Sequence, residues 1–155
     1  MIQEYTRLAR PYFVLLAIFT LGRWLMGSVF AVPYEKGTWY LSIVMLTLFA
    51  SIFSAAHQRR WLGFRLPQAA GFAMFIAVVS QLVVLLSTAI TYGLDVPSYF
   101  GNPIAINRQT EPIGFAAAMG LRLGGLVVNT LFNGIMGGLG WALGGLLPAR
   151  DRQAS

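Results

Sequence analysis

The sequence has no cysteine, one histidine and few charged residues for its length. Without cysteine, disulfides, thiolate ligands and thiol redox chemistry are excluded. Because His57 is the only histidine, one chain cannot build a bis-histidine haem site or a His-rich metal site. Only 10% of the 155 residues are charged and 57% are apolar, whereas about a quarter of a soluble domain is charged. This composition favours a chain that lies in the lipid bilayer.

Four apolar stretches are long enough to cross a bilayer, for which about 20 apolar residues are needed. They cover residues 11–32, 39–57, 69–92 and 123–147. Continuous apolar runs indicate helices, because the strands of a membrane barrel are shorter and alternate in polarity. The sequence therefore predicts an all-α membrane protein, one domain over residues 1–155, with four transmembrane helices in a compact bundle. A cleaved signal peptide is the alternative for the first run, but Arg23 and the length of the run argue against it.

The remaining segments are predicted to lie at the membrane surfaces. Residues 1–10 place Ile2, Tyr5 and Leu8 on one helical face, which is typical of an interfacial helix. Residues 93–112 form the outer loop. Residues 113–121 are also apolar, so that the last hydrophobic region is too long for one ordinary crossing. We expect either a strongly tilted helix or a short interfacial or re-entrant segment before the fourth helix, with a break near Gly124 and Gly125.

The Lys and Arg residues outside the spans indicate the orientation of the chain. With the N-terminus inside, seven of them fall on the cytoplasmic side and two on the outer side. The seven are Arg7, Arg10, Arg59, Arg60, Arg65, Arg150 and Arg152, and the two are Lys36 and Arg108. Positive residues accumulate in cytoplasmic loops, so both termini are predicted to be cytoplasmic in a multi-pass protein of the bacterial inner membrane.

The distribution of the positive residues also indicates which partners the chain binds. The net charge of +6 is divided among loops and does not form one basic face, so no nucleic acid partner is expected. Anionic lipid headgroups are the expected partners, and Arg59, Arg60 and Arg65 are candidates to contact them beside Trp61 and Phe64. A cytoplasmic loop with the usual positive charge is the simpler interpretation.

The polar residues inside the spans are the candidate ligand-binding residues. Arg122, Asn129 and Asn133 recur at helical spacing on the fourth span, and Arg23 and Gln81 lie at similar depths on the first and third spans. If these faces converge, the guanidinium groups could hold an anion. Alternatively, Arg23 extends outward to the headgroups near Glu35, and the amides only link helices. No Asp or Glu lies in a span, which disfavours an ion-coupled pump.

The fourth span is rich in glycine, which allows helix backbones to approach closely in lipid. Gly134 with Gly138 and Gly140 with Gly144 form two Gly-x-x-x-Gly pairs and are the candidate helix-packing residues. The sequence around Gly137 lacks the Lys-Ser/Thr of a phosphate-binding loop, so no nucleotide site is expected. We also predict no catalytic residue, no metal site and no cofactor.

The segments 9–12, 32–38 and 121–145 are similar to those of small uncharacterised four-helix integral membrane proteins of bacteria. The resemblance implies the four-helix architecture. It implies no activity, ligand or catalytic residue.

Three functions stay open from the sequence. The first is a structural or accessory subunit that packs against other membrane helices, as a homo-oligomer or in a larger complex. The second is an oligomeric channel or carrier for a small anion or polar solute, for which a water-accessible cavity is expected. The third is an enzyme acting on lipid, which is disfavoured because Ser51, Ser54 and Ser80 have no adjacent histidine or carboxylate within their spans.

Overall fold

A computed structural model describes residues 2–147, and within that range the chain is helical without any strand. The helices are α1 (Ile2–Leu8), α2 (Arg10–Ser28), α3 (Tyr34–Gly37), α4 (Ile43–Leu62), α5 (Leu66–Leu94), α6 (Pro103–Asn107) and α7 (Phe115–Gly144). Arg150 and Arg152, which contributed to the predicted orientation, lie outside the described residues, as does Met1.

The four long helices alternate in direction along the chain. At one end, the Tyr5 hydroxyl donates to the Gln68 carbonyl at 2.8 Å, and the Trp141 indole donates to the Phe64 carbonyl at 2.8 Å. At the other end, the Tyr99 hydroxyl donates to the Val32 carbonyl at 2.8 Å. These contacts bring together the start of α5 with α1, and the end of α7 with the α4–α5 loop. The short helices α3 and α6 both belong to the second end, called the α6 end below.

Helices α4, α5 and α7 pack closely on one another, and α2 lies at their side. The buried residues of α1 and α2 follow one helical stripe through Tyr5, Ala9, Tyr12 and Leu16. The Tyr5 ring meets Phe72 of α5 edge to face at 5.6 Å between centroids. The first helix is therefore not an independent surface segment, because Tyr5 of the predicted interfacial region is buried against α5.

Local signals fix several helix ends. The Ser42 side chain accepts a hydrogen bond from the Met45 N–H at the start of α4, which is ordinary N-capping. Gly63 ends that helix with φ 68°, a left-handed conformation that glycine adopts without strain. Pro67 occupies the first turn of α5, where its missing N–H removes no helix bond.

Three helices are long and apolar enough to cross a membrane, namely α2, α5 and α7. Large apolar side chains such as Leu21, Val128 and Ile135 are more than half exposed, as expected for surfaces that face lipid. Helix α4 has 20 residues but does not reach the same hydropathy, because its last turns carry His57, Gln58, Arg59 and Arg60. It begins at Ile43, so Trp39 and Tyr40 of the predicted second span precede the helix.

The predicted break before the fourth helix is wrong. Helix α7 continues through Gly124 and Gly125 from Phe115 to Gly144, so residues 115–122 belong to it and form no separate re-entrant segment. Glycine is tolerated inside a helix in lipid, because no water is present there to replace the hydrogen bonds that a break would expose. At 1.5 Å per residue the 30 residues extend about 45 Å, which exceeds the hydrocarbon core of about 30 Å. The helix must therefore tilt or project beyond the core.

Candidate functional site

A cavity of about 230 Å³ lies between α2, α5, α7 and the start of α4, close to the α6 end. Four of the residues predicted from sequence line it together: Arg23, Gln81, Arg122 and Asn129. The loops and short helices of the α6 end add Tyr34, Thr38, Phe100, Ala105 and Ile106. Residues from three long helices, spaced widely in sequence, thus share one polar chamber.

Arg23 points into the protein. Its side chain is 7% exposed, and Nη1 donates to the Leu41 carbonyl at 3.2 Å. The guanidinium carbon lies 5.7, 5.6 and 5.3 Å from the ring centroids of Tyr34, Tyr99 and Phe100. Aromatic faces attract a cation at such distances. The Nε atom is buried and has no hydrogen-bond partner, so one strong donor of this arginine is unused.

Arg122 is held by three hydrogen bonds. Its Nε donates to Thr88 Oγ1 at 3.2 Å, Nη1 to the Ala105 carbonyl at 3.2 Å and Nη2 to the Phe100 carbonyl at 3.1 Å. The last two carbonyls belong to α6 and to the loop before it. Arg122 therefore holds α6 and the loop before it at the cavity, which its side chain also lines.

Two guanidinium charges lie at this cavity. Arg23 and Arg122 repel each other electrostatically. Within residues 2–147 no carboxylate lies in an ion pair with either of them, and none lines the cavity. The predicted contact between Arg23 and Glu35 at the headgroups is thus replaced by carbonyl and ring contacts inside the protein. Among the described residues, Arg23 and Arg122 are the two charged residues that line the cavity, and the other lining residues are neutral.

Two amides extend the polar wall deeper into the bundle. Gln81 is 7% exposed on α5, and its amide makes no hydrogen bond to any described residue. Asn129 donates from Nδ2 to the Gly125 carbonyl at 2.8 Å, one turn earlier on α7. Both side chains lie against the cavity with hydrogen-bonding capacity left, as binding a polar ligand requires.

Asn133 does not line the cavity. It is buried between α4 and α7, where its Oδ1 accepts a hydrogen bond from the Ser51 hydroxyl at 2.7 Å. The neighbouring Thr47 Oγ1 lies 2.9 Å from the Tyr12 hydroxyl of α2. These pairs connect three helices through neutral polar groups. Asn133 therefore links α4 and α7 and does not line the cavity.

The glycines of α7 approach two different helices. A Cβ at Gly140 would overlap the Ile52 carbonyl oxygen of α4, and one at Gly144 would lie 2.6 Å from the Ala56 carbonyl oxygen. A Cβ at Gly134 would lie 2.9 Å from Met74 Cγ of α5. Gly138 is different, since a Cβ there would meet only Leu66 Cδ1 at an ordinary 3.6 Å.

The neighbouring Gly137, and not Gly138, is in tight contact with α5. A Cβ at Gly137 would lie 2.6 Å from Ala73 Cβ. Gly137, Gly140 and Gly144 are buried together on one stripe of α7. The crowded glycine side of this helix is therefore occupied within the chain.

The loop arginines have different surroundings. Arg59 donates from Nη1 to the Trp141 carbonyl at 2.9 Å, and its guanidinium carbon lies 3.8 Å from the centroid of the Trp141 ring. A cation at the last turn of α7 also meets carbonyls that have no helix partner. Arg65 is exposed at the start of α5. Contact of Arg59, Arg60 and Arg65 with lipid headgroups stays a prediction.

Sequence reasoning missed the aromatic rings that surround the Arg23 guanidinium. Tyr34, Tyr99 and Phe100 lie in loops or in a short helix, so no helical periodicity connects them with Arg23. Gly37 is the one local signal, because a Cβ there would overlap the Tyr99 ring. Burial raises the pKa of Tyr99 from its ordinary value of 10.0, while the Arg23 charge lowers it and Glu35 raises it. Tyr99 therefore stays neutral and donates its hydrogen bond to Val32.

The described residues contain no group of three or more His, Asp or Glu side chains that could hold a metal. Comparisons with models of protein families, with curated proteins and with solved structures found no match for this chain. The similarity to small four-helix bacterial membrane proteins therefore gains no support from them, and the function must be argued from the cavity.

Proposed function

We propose that this chain is a four-span protein of the bacterial inner membrane, with both termini in the cytoplasm, that binds a small anionic group in the cavity at its outer end. The observation that carries the proposal is the pair of arginines, Arg23 and Arg122, which line one cavity without a carboxylate among the described residues. Under the predicted orientation, the α6 end faces the outer side of the membrane.

Placing an arginine in a spanning helix costs free energy. An arginine near the centre of a spanning helix costs about 2.5–3.5 kcal/mol on insertion scales. Carbonyls and aromatic rings offset part of this penalty for Arg23 and Arg122. The Nε of Arg23 has no hydrogen-bond partner, and no described carboxylate lines the cavity to offset the repulsion between the two charges. A bound anion would offset both, since charge-assisted hydrogen bonds to guanidinium groups are about twice as strong as neutral ones.

The size of the cavity limits the ligand. Binding pockets for drug-sized molecules have volumes of about 300–1,000 Å³, and this cavity has about 230 Å³. A polyatomic oxyanion with several waters fits that volume, because a single water needs about 10–15 Å³ on the same kind of measure. Guanidinium groups pair with phosphate and similar oxyanions through parallel N–H donors. Small oxyanions are therefore the preferred class.

The accessory-subunit hypothesis has weaker support. Its main argument was the glycine-rich helix, yet Gly137, Gly140 and Gly144 contact α4 and α5 of the same chain. Their packing requires no other protein. Homo-oligomerisation and further membrane partners stay predictions.

Anion binding can be tested by thermal unfolding of the detergent-purified protein. Sodium phosphate, sulfate and chloride are compared at constant ionic strength in wild type, Arg23→Gln, Arg122→Gln and the matched control Lys36→Gln, which removes an exposed charge at the same end. A ligand at 100 times its Kd stabilises by about 2.7 kcal/mol. We expect phosphate or sulfate to raise the Tm of wild type and Lys36→Gln and to have little effect on either arginine variant.

Arg23→Lys keeps the charge and provides a second variant if Arg23→Gln does not fold. It should retain part of the stabilisation, because lysine supplies charge without the planar donor geometry. A wild-type Tm that does not respond to any of the anions would refute the proposal. An equal response in wild type and in folded Arg23→Gln and Arg122→Gln would do so too.

A further inference from the structure

Two apolar side chains that line the cavity, one on α4 and one on α7, are also exposed. Val44 at the start of α4 and Leu121 on α7 both line the cavity, and they are 49% and 41% exposed. Each side chain therefore belongs both to the polar chamber and to the apolar surface of the molecule.

Helix α7 has two glycines, and therefore no side chains, next to Leu121 and the cavity. Gly125 lines the cavity, and a Cβ there would meet only the Asn129 amide nitrogen at 3.9 Å. At the preceding Gly124 a Cβ would meet nothing within 4 Å. Farther from the α6 end, α4 and α7 are closed on each other by the Ser51–Asn133 hydrogen bond. The contact shown between the two helices at this hydrogen bond thus lies farther from the α6 end than Val44 and Gly125.

The loops of the α6 end cover another side of the cavity. Arg122 fastens the carbonyls of Ala105 and Phe100 over the chamber, and Tyr34 and Ile106 also line this side. A ligand that arrives from water must pass these loops. A ligand that arrives from the bilayer meets apolar side chains and glycine backbone first, and then the guanidinium groups.

We infer that the anionic group is the phosphate of a membrane lipid, which enters sideways between α4 and α7 and leaves its acyl chains outside against the apolar surface of α7. This inference rests on the proposed function, since it assigns a class of ligand to the same arginines. The arrangement separates the two halves of such a ligand by polarity. Phosphate meets Arg23 and Arg122, and hydrocarbon meets Val44 and Leu121.

The test uses three probes in the same neutral detergent: phosphatidylglycerol, its deacylated headgroup glycerophosphoglycerol, and inorganic phosphate. Binding is measured by native mass spectrometry and by the ligand-dependent rise in Tm. The informative variant is Gly125→Leu, which places a bulky side chain in the opening. Gly120→Leu is the matched control on the same helix, because a Cβ at Gly120 meets nothing within 4 Å and Gly120 does not line the cavity.

We expect phosphatidylglycerol to bind at least tenfold more tightly than glycerophosphoglycerol and inorganic phosphate. Gly125→Leu should weaken lipid binding at least tenfold, whereas Gly120→Leu should change it less than twofold. Equal affinity for the deacylated and acylated probes would overturn the lipid inference and leave the anion site intact. Lipid binding that is unaffected by Gly125→Leu would overturn the lateral route, and no binding of any probe would overturn both proposals.

Discussion

The tight contact between α7 and α4 gives the sharpest stability prediction. A Cβ at Gly140 would overlap the Ile52 carbonyl oxygen and lie 2.8 Å from the Ile52 carbonyl carbon and Cα. These are backbone atoms of a packed helix, so they cannot move aside as the tip of a side chain can. At Gly138 the nearest atom is Leu66 Cδ1 at 3.6 Å, which is an ordinary contact. The two glycines lie two positions apart on the same helix but face different surroundings.

The comparison of Gly140→Ala with Gly138→Ala isolates this difference. Both changes remove glycine from the interior of α7, so the gain in helix propensity, about 1 kcal/mol or less, is common to both and cancels. Overpacking in a close-packed interior costs typically about 1–3 kcal/mol. We therefore expect Gly140→Ala to be less stable than Gly138→Ala by about 1–3 kcal/mol. Gly138→Ala itself should be close to wild type.

The assay is reversible unfolding in mixed micelles of neutral detergent and dodecyl sulfate, followed by far-UV circular dichroism. Gly144→Ala provides a second crowded position, since its Cβ would lie 2.6 Å from the Ala56 carbonyl oxygen. Leu143→Ala is the control for a half-exposed residue of the same turn and should have a smaller effect. If Gly138→Ala and Gly140→Ala unfold at the same detergent fraction, the contact between α4 and α7 is not as close as described.

Two further predictions concern orientation and the link between α4 and α7. Reporters fused after Ser155 and inserted in the loop at residues 63–65 should both read cytoplasmic, because seven of the nine positive residues outside the predicted spans lie on that side; a periplasmic C-terminus would contradict the four-span arrangement. In a double-mutant cycle of Ser51→Ala and Asn133→Ala, unfolding should give a coupling of about 0.5–1.5 kcal/mol for the 2.7 Å hydrogen bond, and additive effects would exclude that link.

The contacts of Asn133 and Asn129 illustrate the limit of sequence reasoning about the site. Both residues lie on one face of α7 one turn apart, and both were candidates for the same polar centre. Asn129 reaches the cavity, whereas Asn133 is occupied by Ser51 of α4. Spacing along a helix fixes that two residues share a face. It does not fix which neighbouring helix each of them meets.

The glycines show the same limit. Their number predicted close approach of backbones, and close approaches occur at Gly140 and Gly144. The prediction for the other pair, Gly134 and Gly138, holds only in part. Gly134 is crowded, but near Gly138 the crowded position toward α5 is Gly137. A helix that is apolar around most of its circumference has little periodicity in its sequence, so its rotation about its own axis must come from the fit with its neighbours.

The sequence by itself determined the helical class, the apolar stretches and the approximate depth of the polar residues. These features follow from local physics, because a backbone in lipid must satisfy its hydrogen bonds within a helix and depth increases by a fixed rise per residue. Only the tertiary structure decided that α7 is continuous, that Arg23 turns inward and that loop aromatics surround it. Those outcomes depend on contacts between residues far apart in sequence, such as Arg23 with Tyr99 and Arg122 with Ala105, which no local pattern encodes.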